Sequence, residues 1–321
     1  MNDQTAIQTK PYVRPDVAQF LTFLNALPGP KMEDLPLAEA RGAYLAMVPV
    51  AEADPRPLAV IRDLACPGPA GEIPLRLYDA RESREPGPAV VFFHGGGFVI
   101  GDLETHHALC TEVAAALDLP VIAVHYRLAP ECPFPAAPDD CEAAARWVAE
   151  SPAALGREVT GLILTGDSAG GNLTIVTTQA LTARRAEVPV LVQAPIYPAT
   201  DERLHPSYEQ FGEGHLLTRS GMDWFHASYA GESGNARAFP ILGDHAKVPP
   251  TLVATASLDP IRDQGRAYAA ELVAAGSDVV FMEMKGNIHG FLTLRKAIPS
   301  AHDDLARILA GIRRLLDDAQ R

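Results

Sequence analysis

Two glycine-framed runs carry the residues best suited to chemistry. In GLILTGDSAGGN, Ser168 follows an apolar run and precedes a helical one, with Gly166 and Gly170 two positions to either side. A serine at such a strand-to-helix turn is forced into a strained backbone, and glycines beside it let strand and helix approach without Cβ clashes. Ser168 then stands exposed as a nucleophile. In VVFFHGGGFVIG, His94, Gly95, Gly96 and Gly97 follow the apolar run Ala89 to Phe93. Three successive glycines bare their N–H groups, which can hold the negative oxygen of a tetrahedral intermediate; losing one such donor costs about 3 to 4 kcal/mol of barrier. The N–H of Ala169, directly after the nucleophile, supplies the other side of that hole. Together the runs predict acyl transfer through a covalent acyl-serine. The bland alternative is a Gly-rich turn or a phosphate loop, but no Lys follows the glycines and no acidic ribose-binding residue stands at the expected spacing. His94 precedes the nucleophile and reads as a brace for the loop, not as a proton carrier.

Such groups need a rigid frame. Short apolar runs (AVVFF, VIAV, LILT, VPVLVQ, TLVATA, DVVFMEM) alternate with helical stretches such as His106 to Leu117 and Asp139 to Glu150, the rhythm of parallel strands with crossover helices. Before them, Leu58 to Ala65 and Ile73 to Tyr78 partly alternate around PGPAG, which predicts an antiparallel hairpin. Two helices are expected at the start, Asp16 to Leu27 and Leu37 to Met47, parted by the breaker segment PGPKMEDLP, and one at the end, Ser300 to Gln320. Between about Ala199 and Pro249 the rhythm stops for fifty-odd residues, far beyond an ordinary connection, so an inserted lid is expected.

The composition suits a buried core: 321 residues, 47% hydrophobic and 21% charged. With 27 Lys and Arg against 40 Asp and Glu the net charge is -13, which disfavours nucleic acid as a partner. No apolar run approaches the 18 or so residues of a membrane span, and the opening MNDQTAIQTK lacks the order of a signal peptide, so a cytoplasmic protein is expected. Cys66, Cys110, Cys132 and Cys141 show no C-x-x-C pairing and no His at zinc spacing; four reduced thiols and no metal site are expected.

On a hydrolase scaffold of this kind the serine is followed in the chain by Asp or Glu and then His, each just past a strand. His205, His215, His226 and His245 fall in the inserted segment and His302 in the final helix, which leaves His289, after DVVFMEMKG, as general base. Asp259 ends the apolar run TLVATASL and is the expected acid, with Asp263 one helical turn further on as its rival. An imidazole with an ordinary pKa near 6.5 can take the serine proton around neutrality, while the carboxylate fixes its tautomer.

HGGGF, GDSAGGN, YRLAPECPFPAAPDD, Asp259-Pro260 with Asp263, and His289-Gly290-Phe291 together resemble the bacterial hormone-sensitive-lipase family of esterases, over essentially the whole chain. The resemblance implies an α/β-hydrolase fold: a mostly parallel eight-stranded sheet flanked by helices, with a helical cap. It implies hydrolysis of short- to medium-chain carboxylic esters without a cofactor, with Gly96, Gly97 and Ala169 as oxyanion donors. Asp167 places the chain with the GDSAG subgroup. His107 and His125 stand where relatives often carry aspartate. Dimers formed through the last strand are frequent among relatives, so a homodimer is an expected state.

The expected division is 1–50 and 199–249 as the two parts of the cap, and 51–198 and 250–321 as the two parts of the core. A cleft at the strand ends would hold a small ester, with Gly95, Phe98, Asp167 and Tyr197 proposed as substrate contacts and Phe20, Phe23, Phe211, Trp224 and Phe225 as aromatics of the cap. Charged residues throughout the inserted segment argue against a lipid interface as partner. The same residues would serve an amidase or an acyltransferase, and a non-catalytic small-molecule receptor can share the fold; an intact Ser168, Asp259 and His289 favour the enzyme.

Overall fold

The structure, a computed structural model, describes residues 10–321; the first nine residues of the segment 1–50, and most of its opening sequence, lie outside the described residues. Eight strands form one sheet in the order β1-β2-β4-β3-β5-β6-β7-β8: β1 Val60–Gly68, β2 Gly71–Asp79, β3 Gly87–Phe93, β4 Val121–Val124, β5 Val159–Asp167, β6 Val190–Ile196, β7 Thr251–Leu258 and β8 Val279–Ile288. Strands β1 and β2 pair antiparallel with each other, and β2 with β4; every pairing from β4 through to β8 is parallel. This is an α/β-hydrolase fold.

Alternation along the strands sorts the core. In β3, Ala89, Val91 and Phe93 face the helices α4 (Ala136–Ala149) and α5 (Ala169–Ala183), whereas Val90 and Phe92 face α3 (His107–Leu117) and α9 (Ala301–Ala319). Each of these side chains is almost wholly buried and contributes on the order of 1.5 to 3 kcal/mol for the larger ones. Helix α8 (Arg262–Ala274) joins the α5 side through Tyr268, Ala269 and Leu272, which pack with Ile175 and Val253.

The hairpin is tighter than the sequence suggests. Its turn is confined to Pro69-Ala70, with Gly68 opposite Gly71, because Pro67 sits on the edge strand β1, where no neighbour requires its missing N–H.

Before the sheet come α1 (Pro15–Ala26) and α2 (Leu37–Ala51), joined by a 3₁₀ turn at Met32–Asp34. The apolar face of α1, Val17, Phe20 and Leu21, belongs to the main core, and Arg14 just before it bonds Asp304 of α9. The segment after β6 folds into α6 (Pro206–Phe211), α7 (Arg219–Tyr229) and a 3₁₀ turn at Pro240–Leu242. Thr218 caps α7 by accepting the Gly221 N–H at 3.1 Å. The two segments meet where Ser220 donates to Glu33 at 2.5 Å. Among the described residues no helix is long and apolar enough to cross a membrane.

Candidate active site

Ser168 joins β5 to α5 with φ +56° and ψ -115°, a conformation that carries strain for a residue with a Cβ. Any side chain at Gly166 or Gly170 would collide with the carbonyl oxygen of Phe93, so glycine is required on both sides of the turn. His289 lies one residue past β8 and Asp259 one residue past β7. Asp259 Oδ2 accepts from His289 Nδ1 at 2.7 Å, and Ser168 Oγ lies 2.8 Å from His289 Nε2. A carboxylate can only accept, so Nδ1 carries the hydrogen and Nε2 is left bare toward the serine hydroxyl. Asp259 is fully buried, and its other oxygen accepts the Ile261 N–H at 2.8 Å. Asp263 turns elsewhere: it accepts from Ser207, Arg262 and Arg266.

The glycine loop is tied by its carbonyls. The Gly95 carbonyl accepts from His94 Nδ1 at 2.8 Å, and the Gly96 carbonyl accepts the N–H groups of Val99 and Ile100 at 3.0 and 2.9 Å. In a trans peptide the carbonyl and the following N–H point in opposite directions, so these ties turn the N–H groups of Gly96 and Gly97 away from the loop's own bonds. Gly96 and Gly97 have φ +116° and +59° and line the cleft together with Ser168 and Ala169, the first residue of α5. Three donors thereby border the serine oxygen's surroundings, at the positive end of a helix. Burial pushes the His94 imidazole down to about 3, with His106 adding to the shift, so this ring is neutral and acts as a brace. Tyr126 donates to the His94 carbonyl at 2.7 Å from beneath.

The cleft is about 220 Å³ and largely apolar, walled by Met32, Tyr44 and Met47 from the N-terminal segment and by Leu216, Trp224 and Phe225 from the inserted one. Phe225 lies flat against Gly97, where any side chain would strike its ring. A second cavity of about 200 Å³ sits at the opposite ends of the strands, between Arg81, Arg157 and Pro120, and holds no nucleophile and base pair.

Of the four expected substrate contacts, Phe98 lines the cleft, stacked on Tyr229 with centroids 3.7 Å apart. Asp167 borders it, but its carboxylate is bonded inward to the Gly95 N–H and to His106. Burial alone would raise this carboxyl, yet His106 and the Gly95 N–H outweigh it and hold Asp167 below the usual carboxylate range. Gly95 and Tyr197 stand behind the cleft wall: the N–H of Gly95 is taken by Asp167, and Tyr197 is buried against His289, its ring 4.8 Å away. Of the aromatics expected in the cap, Trp224 and Phe225 reach the cleft, Phe20 and Phe211 join the core, and Phe23 is exposed. Tyr44 and Met47 line the cleft without having stood out in the sequence, and so does His226, which the sequence only set aside as a base; a long-range fold alone could bring them beside Ser168. His107 pairs with the Tyr78 hydroxyl at 3.2 Å, and His125 lies 6.0 Å from His94. Among the described residues no group of three His, Cys, Asp or Glu could hold a metal ion, and all four cysteines are free thiols.

Comparison with known proteins adds the following. The sequence profile of a family described as alpha/beta hydrolase fold matches residues 90–293. Carboxylic ester hydrolase LipN of Mycobacterium tuberculosis is 43% identical over 249 residues, covering 73% of this chain and 65% of LipN. Ethyl acetate hydrolase of Pseudomonas putida is 37% identical over 76% of this chain and 79% of its own. Among solved structures, ester-hydrolase EH1AB1 from the metagenome of Lake Arreo superposes with a TM-score of 0.89 at 36% identity, over 94% of this chain and 98% of that one.

Proposed function

The chain belongs to the bacterial hormone-sensitive-lipase family of α/β-hydrolases, and we propose that it hydrolyses carboxylic esters of short to medium acyl chain through Ser168, His289 and Asp259. The observation that carries this reading is one imidazole bonded at both nitrogens, 2.7 Å to Asp259 and 2.8 Å to Ser168, at the floor of an apolar cleft.

Ser168 Oγ attacks the ester carbonyl as its proton passes to His289 Nε2. The carbonyl oxygen, now negative, is held by the N–H groups of Gly96, Gly97 and Ala169. The intermediate collapses, the alcohol leaves with the proton from His289, and an acyl-serine remains. Water then adds, giving its proton to His289; the carboxylic acid departs and Ser168 recovers its hydrogen. Asp259 holds the imidazole in the tautomer this needs and stabilises its charged form.

A cleft of about 220 Å³ lies below the roughly 300 to 1,000 Å³ of sites for drug-sized ligands, which favours small acyl and alcohol groups. On this reading residues 1–50 and 199–249 act as the cap that excludes water, no cofactor takes part, and the substrate is a small ester met in the cytoplasm.

Hydrolysis of p-nitrophenyl esters from acetate to palmitate, with the native protein and Ser168→Ala, tests the reading. Rates should peak at short or medium chains and fall to background in the variant. Turnover that survives Ser168→Ala, or none by the native protein on any ester, would overturn it.

A further inference from the structure

Asp167 is a buried carboxylate that none of the steps above uses. Its Oδ1 accepts the Gly95 N–H at 2.8 Å, and His106 Nε2 lies 3.2 Å from the same oxygen. Its Oδ2 accepts from the Tyr197 hydroxyl at 3.4 Å, and the ring of Tyr197 packs 4.8 Å from that of His289. His106 is itself held, with Nδ1 3.0 Å from Thr105 Oγ1. One carboxylate therefore touches the glycine loop, the turn that bears the nucleophile and the ring behind the base.

A loop of three glycines is the freest backbone available, so donors on it are aimed only if other groups hold it. The Gly95 residue is held twice: its carbonyl by His94 and its N–H by Asp167. With both peptide planes at Gly95 fixed, the next N–H, that of Gly96, has its direction fixed as well. A side chain at Gly95 would collide with the Asp167 carboxylate, so glycine there is the condition of this approach. Taking a carboxylate out of water is costly unless hydrogen bonds satisfy it, and Gly95, His106 and Tyr197 all bond this one.

We propose that Asp167, held by His106, is a positioning residue for ester hydrolysis: it fixes the Gly95 peptide and so aims the Gly96 N–H into the oxyanion hole. The proposal rests on the serine-esterase reading above. Because the ester oxygen gains its charge only in the transition state, a misaimed hole harms turnover more than substrate binding.

The test uses Asp167→Ala, which removes the acceptor of the Gly95 N–H, His106→Ala and His106→Gln with a p-nitrophenyl ester and with butylboronic acid. The boronic acid adds to Ser168 Oγ, the serine proton passes to His289 and nothing leaves, so the tetrahedral adduct presents an oxygen to the hole. Loss of a whole donor costs about 100- to 1,000-fold; a misaimed one should cost less. Asp167→Ala and His106→Ala should lower kcat about 10- to 100-fold, leave KM within about twofold, and weaken the boronate by the same factor as kcat. His106→Gln, whose amide can donate where Nε2 does, should recover most of the loss. A kcat within about threefold of native in both Asp167→Ala and His106→Ala overturns the proposal, as does a rise in KM with the boronate unaffected. Should Asp167→Ala fail to fold, the two His106 variants decide. A native protein that hydrolyses esters while these variants match it defeats this proposal alone; a native protein without esterase activity defeats the reading beneath it.

Discussion

Asp259 and Asp263 are one helical turn apart, yet their surroundings give them different work. Asp259 is fully buried, with one oxygen on His289 and the other on the Ile261 N–H. Asp263 faces Arg262, Arg266 and the N–H of Ser207, and so ties α8 to the start of α6. Asp259→Asn should lower turnover of a p-nitrophenyl ester about 10⁴-fold, because an amide cannot select the same imidazole tautomer, whereas Asp263→Asn should cost less than about tenfold. Steady-state kcat for the two variants decides it, and equal losses would remove Asp259 from the triad. Ser168, Asp259 and His289, which the fold brings within hydrogen-bond distance of one another, were legible because each stands one residue past an apolar run, in an order the scaffold imposes. Gly95 and Tyr197 were misplaced for a physical reason. Adjacency to a loop or a strand end does not say whether a group faces the cleft or the layer behind it, and here Asp167 and His289 occupy those sides.

At the scale of elements, β3 and β5 were recognisable because central parallel strands are buried on both faces and so read as unbroken apolar runs. Helix α7 was not, because its two faces answer to different neighbours. Met222 and Tyr229 are buried, and Met222, Trp224, Phe225 and His226 line the cleft, a neighbour that exists only once the fold has brought the inserted segment over Ser168. The end of β2 is fixed by charge. Asp79, wholly buried, accepts from Arg84, from Arg157 and from the Arg81 N–H, which joins β2 to the chain entering β5. Burial would raise this carboxyl, but those bonds outweigh it and leave it below its ordinary value. A carboxyl lowered in the folded state adds stability that is complete above its unfolded value near 3.9 and is lost as pH falls through the folded one. Asp79→Asn should therefore be less stable than native at pH 7, by about 3 to 5 kcal/mol for a broken buried pair. The gap should narrow as the pH drops below about 4. Urea unfolding of both proteins from pH 7 to pH 3 measures it, and a gap independent of pH would show that the Asp79 charge is not what stabilises the joint.

For the molecule as a whole, the cleft exists only while the N-terminal helices stay in place over the strand ends. Surface contacts alone would hold them weakly, since exposed ion pairs contribute about 0 to 1 kcal/mol. Arg41 of α2 does more, donating to the carbonyls of Val99 and Ala129 beside the glycine loop and to Glu131. The deepest tie is at the end of α2, where Glu52 and Arg295, both almost wholly buried, form an ion pair through Arg295 Nε at 2.8 Å. The Ala51 carbonyl there accepts the N–H groups of Lys296 and Ala297. This joins the helix that carries Tyr44 and Met47 into the cleft to the stretch that follows His289. A buried pair repays its desolvation only while both partners are present. Glu52→Leu and Arg295→Met should each lower the unfolding free energy by about 3 to 5 kcal/mol, because each strands a charge in the core. The double variant removes both charges and should return to within about 1 kcal/mol of native or exceed it. Denaturant unfolding of the four proteins provides the cycle. Additive losses would mean that the two side chains stabilise the fold separately, by packing, and that the pair is not what fastens α2 to the stretch that follows His289.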